Sequence, residues 1–274
     1  MPELPEVEVL RRSLEPRLVG DRVERLEVRA AALREPLDTA ALRRHTVGKT
    51  VVGLRRRAKY LLIDLEAGST LVIHLGMSGR VTLVPAAQET EPHEHLAWFL
   101  ASGRRLRLRD PRRFGLAFAL PSAELEGDRH FRDLGVEPLA GGLTGELLRG
   151  AAAGRRGPVK PFLMDAGVVV GVGNIYASEA LFLAGIHPAR SVARIGAERW
   201  QRLAAAVAEV LSQAIHEGGT TLNDFADADG QAGYFQVSLR TYGREGEPCA
   251  RCGGIIRRLV QANRSTFYCA GCQH

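Results

Sequence analysis

The chain opens Met1-Pro2-Glu3-Leu4-Pro5-Glu6-Val7-Glu8. A small second residue usually allows the initiator methionine to be removed, which would leave Pro2 as a free secondary amine. Such an amine attacks an electrophilic carbon and yields an iminium that keeps its positive charge without a further proton. Lysine performs the same covalent chemistry elsewhere. Glu3 follows at once as a candidate acid or base. Many chains begin Met-Pro, with the proline merely preceding a helix, so the pair gains meaning from the other reactive residues.

All four cysteines, Cys249, Cys252, Cys269 and Cys272, lie in the last 26 residues. They read C-x2-C, then sixteen residues, then C-x2-C. Two close pairs at that separation suit a tetrahedral Zn²⁺, each pair forming a tight knuckle. Four thiolates leave no open position for water, so one structural zinc ion is expected. A disulfide framework is the alternative, but intracellular thiols are normally kept reduced. Between the knuckles, two short strands surround a polar turn at 261–264, with Arg264 at the tip.

Lys59 ends the basic run Arg55-Arg56-Arg57-Ala58-Lys59, where alternation places Arg55, Arg57 and Lys59 on one strand face. The glycines of Val170-Gly171-Val172-Gly173-Asn174 precede a helix start, where backbone N–H groups attract phosphate. A plain N-cap by Asn174 is the structural alternative. Two turns, His74-Leu75-Gly76-Met77-Ser78-Gly79 and Asp110-Pro111-Arg112-Arg113-Phe114-Gly115, carry large side chains. Met77 and Phe114 suit a core, or, exposed on a basic protein, a wedge into a base stack. Residues 218–235 are glycine-bearing and little periodic, as in a functional lid or a disordered loop.

These residues need elements to hold them. Pro5 to Leu14 reads as a helix, with Val7, Leu10 and Leu14 on one face. From Val23 to Leu120 the pattern is mostly strands: Val51 to Leu65, Thr70 to Val84, Trp98 to Leu100 and Arg104 to Arg109. Leu106 and Leu108 share one face of the last strand, and Arg105, Arg107 and Arg109 the other. An antiparallel sandwich with a basic outer face is the simplest account. Asp133 to Gly142 reads as a linker. Beyond it the period turns helical, most clearly over Asn174 to Ala184 and Ala197 to Glu217.

The 274 residues hold 37 Lys and Arg against 31 Asp and Glu, a formal charge of +6 and a pI near 9.5. Zinc bound by four thiolates brings +6 to about +4. That balance points to a polyanion partner. Aromatic content of 6% disfavours a general single-strand binder. No signal-like or membrane-length apolar stretch occurs, so a soluble cytoplasmic protein is expected.

Together these residues resemble the bacterial formamidopyrimidine-DNA glycosylase family over essentially the whole chain. The matching segments are PELPEVE, RRRAKYL, HLGMSG, DPRRFG, VGVGNIYASE, GGTTL and the tail NRSTFYC with its cysteine pairs. The resemblance implies an α+β fold: an N-terminal antiparallel β-sandwich over 1–132, a helix–two-turn–helix domain over 133–240 and a C-terminal four-cysteine zinc finger over 241–274. It also implies a monomer acting on double-stranded DNA that contains oxidised purines or abasic sites. The implied reaction is removal of 8-oxoguanine and formamidopyrimidines, followed by β,δ-elimination.

On that resemblance Pro2 is the nucleophile at deoxyribose C1′, and Glu3 is acid or base on the opening sugar. Lys59 assists β-elimination and Arg264 assists δ-elimination. Asn174, His93, Arg112 and Arg156 match DNA-contact positions. Met77, Arg112 and Phe114 match the trio that fills the gap left by an extruded nucleotide. Asn223 and Ala232 depart from the family, many of whose members have a basic residue and a proline there.

Two other readings compete. The sister endonuclease VIII type shares the amine chemistry but favours oxidised pyrimidines, and Met77, Arg112 and Phe114 argue against it. A non-enzymatic zinc-ribbon DNA-binding protein explains the cysteines and arginines but leaves PELPEVE without a purpose.

Overall fold

A computed structural model describes residues 2–220 and 238–274. Met1 and residues 221–237, which include Asn223, Ala232 and most of the expected lid, lie outside the described residues. The chain forms two compact units. The first takes the residues up to Arg132 together with the segment that begins at Gly218. The second takes Asp133–Glu217 and the C-terminal residues.

In the first unit, helix α1 (Leu4–Leu18) starts with Pro5 in its first turn, where a missing N–H costs nothing. It runs a turn beyond the expected end and buries Val7, Leu10, Leu14 and Leu18. Eight strands follow: β1 (Val23–Val28), β2 (Val51–Arg57), β3 (Tyr60–Leu65), β4 (Ser69–His74), β5 (Arg80–Pro85), β6 (Glu94–Leu100), β7 (Arg104–Arg109) and β8 (Leu116–Pro121). They pair antiparallel in two four-stranded sheets, ordered β1-β6-β7-β5 and β2-β3-β4-β8. Leu26, Trp98, Leu106 and Leu108 from one sheet share a core with Leu61, Ile63, Leu71 and Ile73 from the other. The expected sandwich is present.

Three local readings need correction. Val51–Leu65 and Thr70–Val84 are each two strands. The first breaks at Ala58-Lys59, where Ala58 is left-handed (φ 55°), so Lys59 lies in a turn and not on a strand face. The second breaks over 75–79. Helix α2 (Thr39–Thr46), capped by Asp38 accepting from the Ala41 N–H at 2.9 Å, interrupts the region read as strands.

The third correction concerns the arginine row of β7. Arg105 and Arg107 are only 2% and 7% exposed. The Arg105 guanidinium donates to the carbonyls of Gln88 (2.9 Å) and Glu89 (3.0 Å), and Arg107 pairs with Glu91 at 2.7 Å. The buried Glu94 carboxylate lies 2.5 Å from Arg29, 3.4 Å from Arg105 and 3.7 Å from Arg107. These arginines share a face as alternation requires, but acidic groups and a loop cover it.

In the second unit, α3 (Gly145–Ala151) and α4 (Val159–Leu163) precede α5 (Asn174–Ala184) and α6 (Ala197–His216). Helix α5 is buried on nearly every side, as a central helix must be, and stops at Gly185 (φ 70°). Both α5 and α3 pack on α6. The zinc-type hairpin is β9 (Ile256–Gln261) paired with β10 (Arg264–Cys269). Its Ile256, Phe267, Cys249 and Cys269 share a small core with Phe182 of α5.

The segment read as a linker is pinned, not loose. Gly135 N–H donates to Ala166 O (2.8 Å), and Val136 exchanges bonds with Val168 (3.1 Å) and Val170 (3.0 Å). A Cβ on Gly135 would come 2.4 Å from the Val168 oxygen, so this glycine permits close backbone approach. Among the described residues, no helix is long and apolar enough to cross a membrane.

Candidate active site and nucleic-acid interface

Pro2 and Glu3 are both buried at the head of α1. The Glu3 N–H donates to Glu6 Oε2 at 2.7 Å, half of a capping box that fixes this end of the helix. The other oxygen, Glu6 Oε1, accepts from the Thr220 N–H at 2.8 Å. One carboxylate therefore orders the Pro2–Glu3 backbone and anchors Thr220, the last residue described before position 221. Sequence reasoning misses this role of Glu6, because its second partner is 214 positions away.

The HLGMSG and DPRRFG turns meet within this unit. Met77 is 36% and Phe114 42% exposed, so neither belongs to the core. The Arg112 guanidinium carbon lies 4.9 Å from the Phe114 ring centroid, a cation–π distance. At the base of the Met77 turn, His74 Nδ1 accepts from the Gly76 N–H at 3.0 Å. Burial, reinforced by the charges of Arg34, Lys59 and His130, pushes the His74 imidazole down to about 3. It is therefore neutral, as an Nδ1 acceptor must be. His93, also exposed, adopts a left-handed backbone with φ 67° on the loop before β6.

The second unit carries the remaining candidates. Gly173, not Asn174, is the N-cap of α5. The Asn174 amide is held on three sides: Oδ1 accepts from Lys160 Nζ at 2.5 Å, and Nδ2 donates to Ser265 O (3.0 Å) and Tyr242 Oη (3.2 Å). Lys160, 1% exposed, also donates to Thr266 Oγ1 at 2.7 Å. Asn174 is thus fixed between the start of α5 and the hairpin strand β10. Glu179 of α5 braces the approach to the hairpin, accepting from the N–H groups of Arg240 (2.9 Å), Thr241 (2.9 Å) and Tyr242 (2.8 Å). Lys160, Glu179 and Tyr242 escaped sequence reasoning, since their sequence neighbours give no hint of these partners.

The hairpin turns on Ala262 and Asn263, both left-handed (φ 46° and 59°), the backbone of a tight two-residue turn. Arg264 follows as the first, exposed residue of β10. Arg156 is exposed between α3 and α4, its carbonyl accepting from Ser191 Oγ at 2.8 Å.

The four cysteine sulfurs lie within 4.8 Å of one another. Burial opposes ionisation of Cys249, but N–H groups of Arg251 and Cys252 and the neighbouring thiols draw it down to about 7. Burial and the other three thiols push Cys272 up to about 12. Four sulfurs so close cannot all ionise unless a cation neutralises them. The donor set fits one structural Zn²⁺ held by Cys249, Cys252, Cys269 and Cys272.

Comparison with known proteins agrees along the whole chain. The family model described as formamidopyrimidine-DNA glycosylase N-terminal domain matches residues 1–117, and that of the family's H2TH domain matches 134–226. A zinc finger found in FPG and IleRS matches 246–274. The chain is 48% identical over 273 residues to the formamidopyrimidine-DNA glycosylase of Xanthomonas oryzae pv. oryzae, covering 100% of both. It is 50% identical over 273 residues to that of Rhizorhabdus wittichii, again covering 100% of both.

Among solved structures, a mutant of Lactococcus lactis FPG in complex with Fapy-dG containing DNA superposes with a TM-score of 0.93 at 32% identity, over 100% of each chain. The Lactococcus lactis Fpg bound to an abasic site containing DNA gives 0.92 at 32% identity, over 99% of each. MutM (FPG) from Thermus thermophilus gives 0.89 at 38% identity, covering 99% of this chain and 98% of that one. With its β-sandwich, H2TH domain and four-cysteine finger, this chain belongs to the formamidopyrimidine-DNA glycosylase family.

Proposed function

We propose that this protein excises oxidised purines, 8-oxoguanine and formamidopyrimidines, from double-stranded DNA and cleaves the strand at the abasic site it creates. It works as a monomer in the cytoplasm, with the three-part division 1–132, 133–240 and 241–274. The observation that carries the reading is the exposure of Met77, Arg112 and Phe114 in the unit that holds Pro2 and Glu3. A damaged base inside a duplex cannot be reached without extrusion, which costs a few kcal/mol of unstacking. Exposed apolar and guanidinium groups on tight turns suit the vacated space.

The Pro2 nitrogen, bared by loss of Met1, bonds to C1′ as the glycosidic bond breaks, and the base leaves with that electron pair and a proton. Glu3 supplies a proton to the ring oxygen O4′ as the sugar opens. The resulting iminium acidifies C2′–H, so the 3′ phosphate leaves by β-elimination with Lys59 assisting. The 5′ phosphate leaves by δ-elimination with Arg264 assisting. His93, Arg112, Arg156 and Asn174 contact the DNA. The positive end of the α1 dipole disfavours protonated Pro2, while Glu3 and Glu6 oppose that effect.

Borohydride reduction tests the reading. It should trap a covalent complex with duplex holding 8-oxoguanine opposite cytosine, in preference to thymine glycol. Pro2→Gly or a blocked N-terminus should greatly weaken trapping, and Glu3→Gln should slow base loss by about 10²–10⁴-fold. Robust trapping with the N-terminus blocked would assign the nucleophile to another amine.

A further inference from the structure

Two turns of the first unit carry the residues proposed to enter the DNA, and both converge on the side chain of one residue, whose main chain also holds the loop bearing His93. Asp110, fully buried at 0% exposure, directly follows β7. Its Oδ1 accepts from Ser78 Oγ at 2.7 Å, in the turn that presents Met77. The same oxygen accepts from the Arg112 N–H at 3.3 Å, and Oδ2 accepts from the Gly115 N–H at 2.7 Å. These two bonds bracket Arg112 and Phe114. The Asp110 N–H donates to His93 O at 3.0 Å, and the Asp110 carbonyl accepts from His95 Nε2 at 2.9 Å, which fixes the third loop.

We propose that Asp110 is a positioning residue that locks the Met77 turn, the Arg112–Phe114 turn and the His93 loop into one preformed wedge for opening the base stack. The inference rests on the functional reading above and adds a residue to it. Two features fit a wedge that is ordered before DNA arrives. A Cβ on Gly76 would come within 2.3 Å of the Phe114 carbonyl carbon, so the two turns already touch. His93 and Arg113 hold left-handed backbones (φ 67° and 56°), which side-chain-bearing residues keep only where their surroundings over-determine them. Groups ordered in advance lose no freedom on insertion, so their binding energy goes into holding the stack open.

A carboxylate serving stability alone would affect every substrate alike when altered. A positioning residue affects most the step that needs the wedge, which is extrusion of an intact damaged base. An abasic nucleotide has no base to unstack and depends on it less. Asp110→Asn keeps the acceptor for Ser78 but turns an NH2 group against the Gly115 N–H. Ser78→Ala removes one bond to Asp110 and leaves its carboxylate in place.

The test uses the full-length, zinc-loaded protein in single turnover on two duplexes, one with 8-oxoguanine opposite cytosine and one with an abasic site. A 2-aminopurine beside the lesion reports opening of the stack. For Asp110→Asn, excision should fall on the order of 10²-fold with loss of the fluorescence rise, while abasic-site cleavage falls far less. Ser78→Ala should shift the same ratio in the same direction by a smaller factor, and it keeps the test decisive if Asp110→Asn folds poorly. Equal slowing on both substrates, or no slowing in either variant, would overturn the role of Asp110. Wild-type protein that leaves the 8-oxoguanine duplex intact would instead sink the functional reading.

Discussion

At His74, chemistry that no motif announces has a measurable consequence. Burial comes first and the charges of Arg34, Lys59 and His130 follow, together bringing the imidazole down to about 3. In the unfolded chain it titrates near 6.5. Between those values the unfolded chain takes up a proton that the folded chain refuses. Stability is therefore complete above about 6.5 and declines as the pH falls below it. From there to pH 5 the loss is at most about 2 kcal/mol. Asparagine could still accept from the Gly76 N–H, so His74→Asn should flatten urea-measured stability between pH 7 and pH 5 by that amount. A variant as acid-sensitive as the parent would place the effect elsewhere.

Single residues were legible where the chemistry itself dictates residue type. The four cysteines show themselves by identity and spacing. Asn174 was half legible: the glycines marked a helix start, but capping falls to Gly173 and the amide is spent on Lys160, Ser265 and Tyr242. Glu6, Asp110 and Lys160 act through partners far along the chain, and periodicity carries no record of such pairs.

Elements follow the same division. Three hairpins turn on an alanine in the left-handed region, at Ala58 (φ 55°), Ala67 (φ 56°) and Ala262 (φ 46°). At Ala67 the adjoining Gly68 signals the turn. At Ala58-Lys59 nothing does, and one long strand is the natural misreading. An L-residue in this conformation costs roughly 1–2 kcal/mol, which glycine avoids at some cost in unfolded-state entropy. Ala67→Gly should therefore raise stability by up to about 1 kcal/mol, read as a higher urea midpoint at unchanged slope. A lower midpoint would mean that the turn is relaxed as it stands. On β7 the two-residue period placed Arg105, Arg107 and Arg109 on one face correctly. Whether that face meets water was decided by Glu94, Glu91 and the carbonyls of Gln88 and Glu89, outside the strand's own pattern.

For the whole molecule, the count of arginines overstates what is free to meet phosphate, since the β7 row is largely covered. Exposed groups such as Arg264 matter more. Arg264→Ala should weaken duplex binding and reduce the slope of log affinity against log salt by about one, measured by titration at several salt concentrations. An unchanged slope would remove the hairpin tip from the phosphate contacts. The order of domains was legible because each carries its own motif. The pinning of 133–142 was not, because glycine marks close approach and slack chain alike.

The polypeptide visits its first unit twice, leaving after Arg132 and coming back at Gly218. On that return the Thr220 N–H reaches Glu6 Oε1. A truncated fragment ending at Arg132 would lack that donor to the buried carboxylate beside Pro2 and Glu3. Splitting this protein into autonomous pieces for piecemeal study would therefore spoil the end of the chain where its proposed covalent chemistry begins.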